Sequence, residues 1–163
     1  MKKIVLFGIL ATLTSIVVFA LELGAMGGME MEGRNRPFIG AKLGLSTDSG
    51  LGLSLEAYLP ISSFATAQEE IKEIRFVEVD PFLLFTLPIG IARIYAGVAP
   101  ILIYDMETGD AGLYSDRIVH AKVGVSSGGL IRFFIEVMSS FTYDPEVMSL
   151  GIYTINVGAA LGL

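Results

Sequence analysis

From Phe38 to Leu59 the chain alternates between apolar and small or polar residues. Ile39, Ala41, Leu43 and Leu45 are separated by Gly40, Lys42 and Gly44. After Thr47-Asp48-Ser49-Gly50, the residues Leu51, Leu53, Leu55, Ala57 and Leu59 alternate with Gly52, Ser54, Glu56 and Tyr58. Period two on both sides of a glycine-containing turn predicts a β-hairpin. One face of the hairpin is an aliphatic wall. The other is small, polar and charged.

The same alternation predicts strands over residues 21–29, 71–87, 91–104, 118–125 and 130–142, and a last strand that carries Tyr153, Ile155, Val157, Ala159, Leu161 and Leu163 on one face. With the hairpin arms, this makes eight strands. Pro81 has no N–H for a ladder, so a bulge or break is expected there. Residues 63–72 have the composition of one or two helical turns above the fourth strand. The connections alternate too. Tight turns follow the second, fourth and sixth strands, at residues 47–50, 87–90 and 126–129, and longer polar segments follow the others. An even strand count, strands of about nine to eleven residues, and short and long connections in turn are the layout of a single-chain transmembrane barrel. The fold class expected is all-β: an eight-stranded antiparallel up-and-down transmembrane β-barrel.

Composition sharpens this picture. The 163 residues are 53% apolar and 17% charged, where a soluble domain carries about 25% charged residues. A leader, a very apolar core or a lipid-facing surface would each lower that fraction. Met1-Lys2-Lys3, an apolar stretch to Phe19 and the small-x-small triplet Val18-Phe19-Ala20 predict a signal peptide over residues 1–20, with the barrel domain over 21–163. An uncleaved anchor is the alternative, and the apolar run is short for one. The net charge of -6 gives no electrostatic reason to bind nucleic acid. The absence of cysteine excludes disulfide and thiolate chemistry.

If the aliphatic faces meet lipid, the other faces share a narrow lumen. They bring Glu22, Glu56, Glu78, Asp80 and Glu136 together with Lys42, Arg93, Lys122 and Arg132, and with His120 near one end. Near-equal numbers of opposite charges suit a closed interior, where charge must be paired. Lumen glycines such as Gly97, Gly124 and Gly158 are expected to leave room for the long Lys and Arg side chains. A plugged salt-bridge network is the first reading of these residues, and a narrow gated conduit is the second. The loops form an acidic rim in which Asp105, Glu107, Asp110 and Asp116 are candidate cation contacts, since carboxylates suit Ca²⁺ or Mg²⁺. None of these loops has the spacing of a dedicated calcium site, and no metal or cofactor is expected. His120 is the sole histidine. Nothing in the spacing of Ser115, Asp116 or Glu136 assembles a catalytic triad around it. Tyr58, Phe82, Tyr104, Phe141, Tyr143 and Tyr153 are candidates for interfacial aromatic belts.

This layout resembles the small eight-stranded outer-membrane barrels, the group of OmpA transmembrane domains, OmpX and OmpW. The resemblance lies in the leader, the eight alternating strands and the alternating connections. It departs at the last residue, where Leu163 stands in place of the usual aromatic. It implies a monomeric barrel embedded in outer-membrane lipid, with a structural or surface-exposed role and a surface ligand or envelope partner met through the acidic loops. Because the group includes lipid-modifying enzymes, it leaves that alternative open. A different class, a soluble periplasmic lipocalin-like carrier of a small hydrophobic ligand, would turn Leu43, Leu53, Val79, Ile94 and Val123 inward.

Overall fold

The computed structural model describes residues 20–31, 35–46, 49–143 and 148–163. Apart from Ala20, the expected leader lies outside them. The strands are β1 (Ala20–Glu30), β2 (Pro37–Ser46), β3 (Gly50–Pro60), β4 (Phe76–Ile89), β5 (Ala92–Pro100), β6 (Leu102–Asp105), β7 (Ala111–Leu113), β8 (Ile118–Gly128), β9 (Ile131–Tyr143) and β10 (Met148–Gly162). All pairings are antiparallel. The order β3-β2-β1-β10-β9-β8-β5-β4 is closed by a β3–β4 ladder, so the sheet has no open edge there. β5 and β6 act as one stave and β7 lies outside the ring. The result is an eight-stranded closed barrel with additional outer strands. Closure joins β1 to β10 from Glu22↔Gly162 to Glu30↔Thr154.

Several expected boundaries differ: residues 87–89 and 126–128 pair as strand, so the tight turns fall at 90–91 and 129–130, and two strands change more. The fourth strand begins at Phe76 rather than at residue 71. Ahead of it, α1 (Ala67–Glu70) runs into a 3-10 turn (Ile71–Glu73). The Glu70 carboxylate secures this segment by accepting from the Ser62 N–H at 2.7 Å and from the Thr66 hydroxyl. Local side-chain-to-backbone bonding outcompetes the strand here. The fifth strand is divided into β5 and β6, although both pair with β4 in one register, Leu83↔Val98 and Val79↔Leu102. That register sets Pro81 opposite Pro100. Neither has an N–H to give, so the ladder lapses between them. The break expected at Pro81 lies on this side only. On the other side the β3–β4 register passes through Leu55↔Pro81 without a shift. Beyond the gap, β6 pairs with β4 and with β7, which takes the edge that β8 would otherwise occupy.

The two faces separate by polarity in the sense opposite to a soluble protein. Leu51, Phe133 and Val157 are 62%, 65% and 54% exposed, whereas Glu56 and Asp80 are fully buried. Leu43, Leu53, Ile94 and Val123, which a carrier would turn inward, point outward. Tyr58 and Phe82 are buried in the lumen, not in an interfacial belt. Each shares its face with a buried carboxylate, Tyr58 with Glu56 and Phe82 with Asp80, and the strand period takes them inward together.

Gly28, Gly124 and Gly158 make room for rings rather than for cations, while Gly97, across from Lys122, is met first by the Leu84 side chain. Tyr95 lies directly across from Gly124, Phe134 from Gly158 and Phe38 from Gly28. A Cβ at Gly124 would lie 2.6 Å from Tyr95 Cζ, and one at Gly28 would lie 2.5 Å from Phe38 Cζ. Each ring takes the space that a side chain on its partner strand would fill, which lets large side chains fill a barrel this narrow. At the tight turns Gly90 has φ 63° and Gly128 has φ 123°, values that a side chain makes costly.

Candidate functional site

The barrel wall aims side chains from distant parts of the chain into one narrow column. At mid-height they form a cage. Lys122 Nζ, on β8, lies 2.5 Å from Glu56 Oε1, on β3, and 3.3 Å from Glu136 Oε1, on β9. Lys42 Nζ, on β2, lies 3.2 Å from Glu56 Oε1 and 3.0 Å from Glu136 Oε1. The four charges sum to zero. The remaining capacity of the carboxylates is met by hydroxyl and amide donors: Ser54 and Tyr58 donate to Glu56 at 2.6 and 2.7 Å, and Tyr95 and Asn156 donate to Glu136 at 2.7 and 3.5 Å. The Lys122 ammonium also stands 4.1 Å from the centroid of the Phe82 ring, and Lys42 stands 4.8 Å from that of Phe134. Desolvation makes such cation–π contacts stronger than at a surface. Phe82, Glu56, Glu136, Asn156 and Asp80 are fully buried, so the column is filled by protein at this level.

Towards the tight turns, Arg132 pairs with Glu22. Arg93, Glu22, Arg132, Ser54 and Thr86 border a cavity of about 30 Å³, room for a water or two.

Towards the long loops, a second cluster draws on β4 and β8. Glu78 and Asp80 stand on the inner face of β4, and His120 on that of β8. Between them runs β5, whose buried Ala99 is opposite His120 and contributes only a methyl group. His120 Nδ1–H donates to Asp80 Oδ2 at 2.6 Å, and Glu78 Oε1 lies 3.7 Å from the same nitrogen. Asp80 Oδ1 is buried without a hydrogen-bond partner. The Glu78 side chain is 33% exposed and opens the cluster towards the loop end. At that end Arg36 Nε also pairs with Glu30 Oε2 at 2.8 Å.

All ten lumen residues named from the sequence therefore lie on the inner side, but in separate groups: a cage, a turn-end group that includes Arg93, and the Glu78–Asp80–His120 cluster. Ser54, Tyr58, Tyr95 and Asn156 were not among them and complete the cage. Their signal was present, since each shares its face with a lumen charge. His120 meets Asp80, whereas Glu136 is held by the lysines and Tyr95. Of the loop carboxylates, Asp105 and Glu107 grip Arg75, each at 2.8 Å. Asp105 Oδ1 also accepts from the Glu107 N–H at 2.9 Å. Hydrogen bonding to Arg75 holds the Asp105 carboxyl below its usual range. The carbonyl of Asp110 accepts from the Asp105 N–H at 2.9 Å, which closes the β6–β7 turn. Asp116 lies in the exposed link before β8.

The sequence matches no protein-family model and no curated protein. In structure the chain is similar to the N-terminal β-barrel domain of Pseudomonas aeruginosa OprF, with a TM-score of 0.53 and 13% identity over 88% of this chain and 97% of that one. It is similar to neisserial surface protein A, with a TM-score of 0.52 and 8% identity over 89% of this chain and 96% of that one. It is also similar to the de novo designed barrel TMB2.3, with a TM-score of 0.50 and 10% identity over 89% and 94%. At such identities the likeness shows the fold: an eight-stranded antiparallel barrel structurally related to outer-membrane and designed barrels.

Proposed function

We propose that the protein is an outer-membrane β-barrel that spans the membrane as a monomer, exported by the leader over residues 1–20, with a plugged interior and a structural or surface-exposed role. The observation that carries this reading is the inverted polarity of the wall. Leucine, valine, isoleucine and phenylalanine cover the outside, and ionised groups fill the inside. In water that arrangement exposes apolar surface at about 25 cal/mol per Å² and would drive aggregation. In lipid the apolar band is at home, and closure of the ring pairs the strand edges that lipid could not solvate. No helix among the described residues is long and apolar enough to cross a membrane, and in this reading the strands do the crossing.

One of the natural barrels named above is, by its own name, a surface protein, which supports a surface-exposed role. The zero-sum cage supports a plug over a conduit, because moving an ion through it would break several charge-assisted bonds at once. The long loops, with the β6–β7 hairpin and its Arg75 clasp, are the parts offered to an external partner. Membrane fractionation followed by electrophoresis of heated and unheated detergent samples tests the reading. An outer-membrane fraction and a heat-dependent mobility shift are expected. A protein recovered in the soluble periplasm would overturn it.

A further inference from the structure

We propose that Glu78, Asp80 and His120 form a binding site for one divalent first-row transition-metal ion at the loop end of the lumen. Three observations carry this. The ligand atoms of the three side chains lie within 4.8 Å of one another. Tetrahedral metal bonds of about 2.1 Å set donor atoms about 3.4 Å apart, within reach of side-chain rotation alone. Asp80 is fully buried, yet its Oδ1 has no hydrogen-bond partner, although a buried carboxylate oxygen ordinarily has one. Finally, the charges differ from those of the cage. Glu56 and Glu136 are offset by two lysines, whereas the ion-pair partner of both Glu78 and Asp80 among the described residues is His120. With the imidazole neutral, the two carboxylates bring the charge that a dication cancels.

The donor set selects the class of ion. One imidazole and two carboxylates suit zinc, copper, nickel, iron or manganese. Calcium takes six to eight oxygen ligands, more than two carboxylates and a ring nitrogen supply. The ion would replace the Nδ1 proton of the His120–Asp80 hydrogen bond, and the partly exposed Glu78 provides the way in from the loops. This inference needs only the barrel, and it stands whichever compartment the barrel occupies.

Because His120 is the sole histidine of the chain, a bound imidazole reports one residue without ambiguity. The untagged protein, purified in detergent as its host delivers it, would be titrated with Zn²⁺ by calorimetry. Its Cu²⁺ form would be examined by pulsed electron paramagnetic resonance, which detects the remote ring nitrogen of a coordinated imidazole. One ion per chain and a clear imidazole signal are expected. His120→Gln and Asp80→Asn should each weaken Zn²⁺ binding at least tenfold. The rim double variant Asp105→Asn/Glu107→Gln should bind as the parent does. If either interior variant fails to give the heat-shifted folded band, Glu78→Gln, at the partly exposed ligand, replaces it in the comparison. An absent imidazole signal, equal affinity in the interior variants and the parent, or loss of binding in the rim variant would overturn the site.

Discussion

The lumen holds two clusters made from the same kinds of residue, and they are finished differently. In the mid-height cage two ammonium groups face two carboxylates, and hydroxyl and amide donors bond to the carboxylate oxygens. At the loop end two carboxylates share one imidazole, and one buried oxygen has no partner. A buried ionic group costs several kcal/mol to desolvate, and good geometry with full hydrogen bonding is what offsets it. In the cage all four carboxylate oxygens accept a bond, although the buried Oδ1 of the neighbouring Asn156 has no partner. The loop-end cluster leaves part of its bonding capacity open. The two clusters therefore differ in how fully their carboxylates are bonded and in how far their charges are offset.

The comparison can be broken most forcefully at the cage. Lys122→Met leaves Glu56 and Glu136 facing Lys42 alone, and the expected loss is about 3–5 kcal/mol in denaturant unfolding of the refolded barrel. Adding Glu56→Gln restores neutrality and should recover a substantial part of that loss. If Lys122→Met unfolds at the parent's midpoint, the cage contributes no stability and the contrast fails. Gly124→Ala comes next. Its new methyl meets the Tyr95 ring and displaces the hydroxyl that bonds Glu136, at an expected cost of about 1–3 kcal/mol. The same equilibrium unfolding curves would show it.

Asp80→Asn should cost about 1 kcal/mol or less, because the amide oxygen still accepts from His120 and the surplus charge is gone. A loss as large as that of Lys122→Met would place this cluster in the same structural class as the cage. The smallest effect belongs to the rim. Asp105 has a depressed folded pKa because of Arg75, so its contribution to the hairpin is present above the unfolded value of about 3.9. That contribution is lost as pH falls through the lower, folded value. Amide exchange in β6 and β7 should accelerate in that acid range while the barrel staves keep their protection. Unchanged exchange in the hairpin would show that the clasp does not order it.

Much of this architecture is written in the period-two pattern. Leu51, Leu53 and Leu55 against Ser54 and Glu56 reveal both faces, and Gly90 and Gly128 mark tight turns. The same phase would have carried Tyr58 and Phe82 inside, had their ring chemistry not suggested a belt. Other features depend on register, which a strand's own pattern does not contain. Tyr95 finds Gly124 only once β5 and β8 are aligned. His120 meets Asp80 from forty residues away, across a strand whose Ala99 happens to be small. The division of the fifth strand needed two facing prolines, and Pro81 alone gave half of that signal. The helical turns expected over residues 63–72 form at Ala67–Glu70 and Ile71–Glu73, and the second of them takes the residues at which the fourth strand was expected to begin.

The seam between β1 and β10 has a consequence in time. Its ladder joins the first and last strands described, and the Leu163 N–H reaches back to the Leu21 carbonyl at 2.8 Å. These contacts span nearly the whole sequence, so their loop-closure entropy is met last and their formation is slow. Until β10 has been made, β1 and β9 both present bare edges, and no partial chain can shut the ring. Closure of this wall thus waits for β10, and until then the two edges are open to any other strand that meets them.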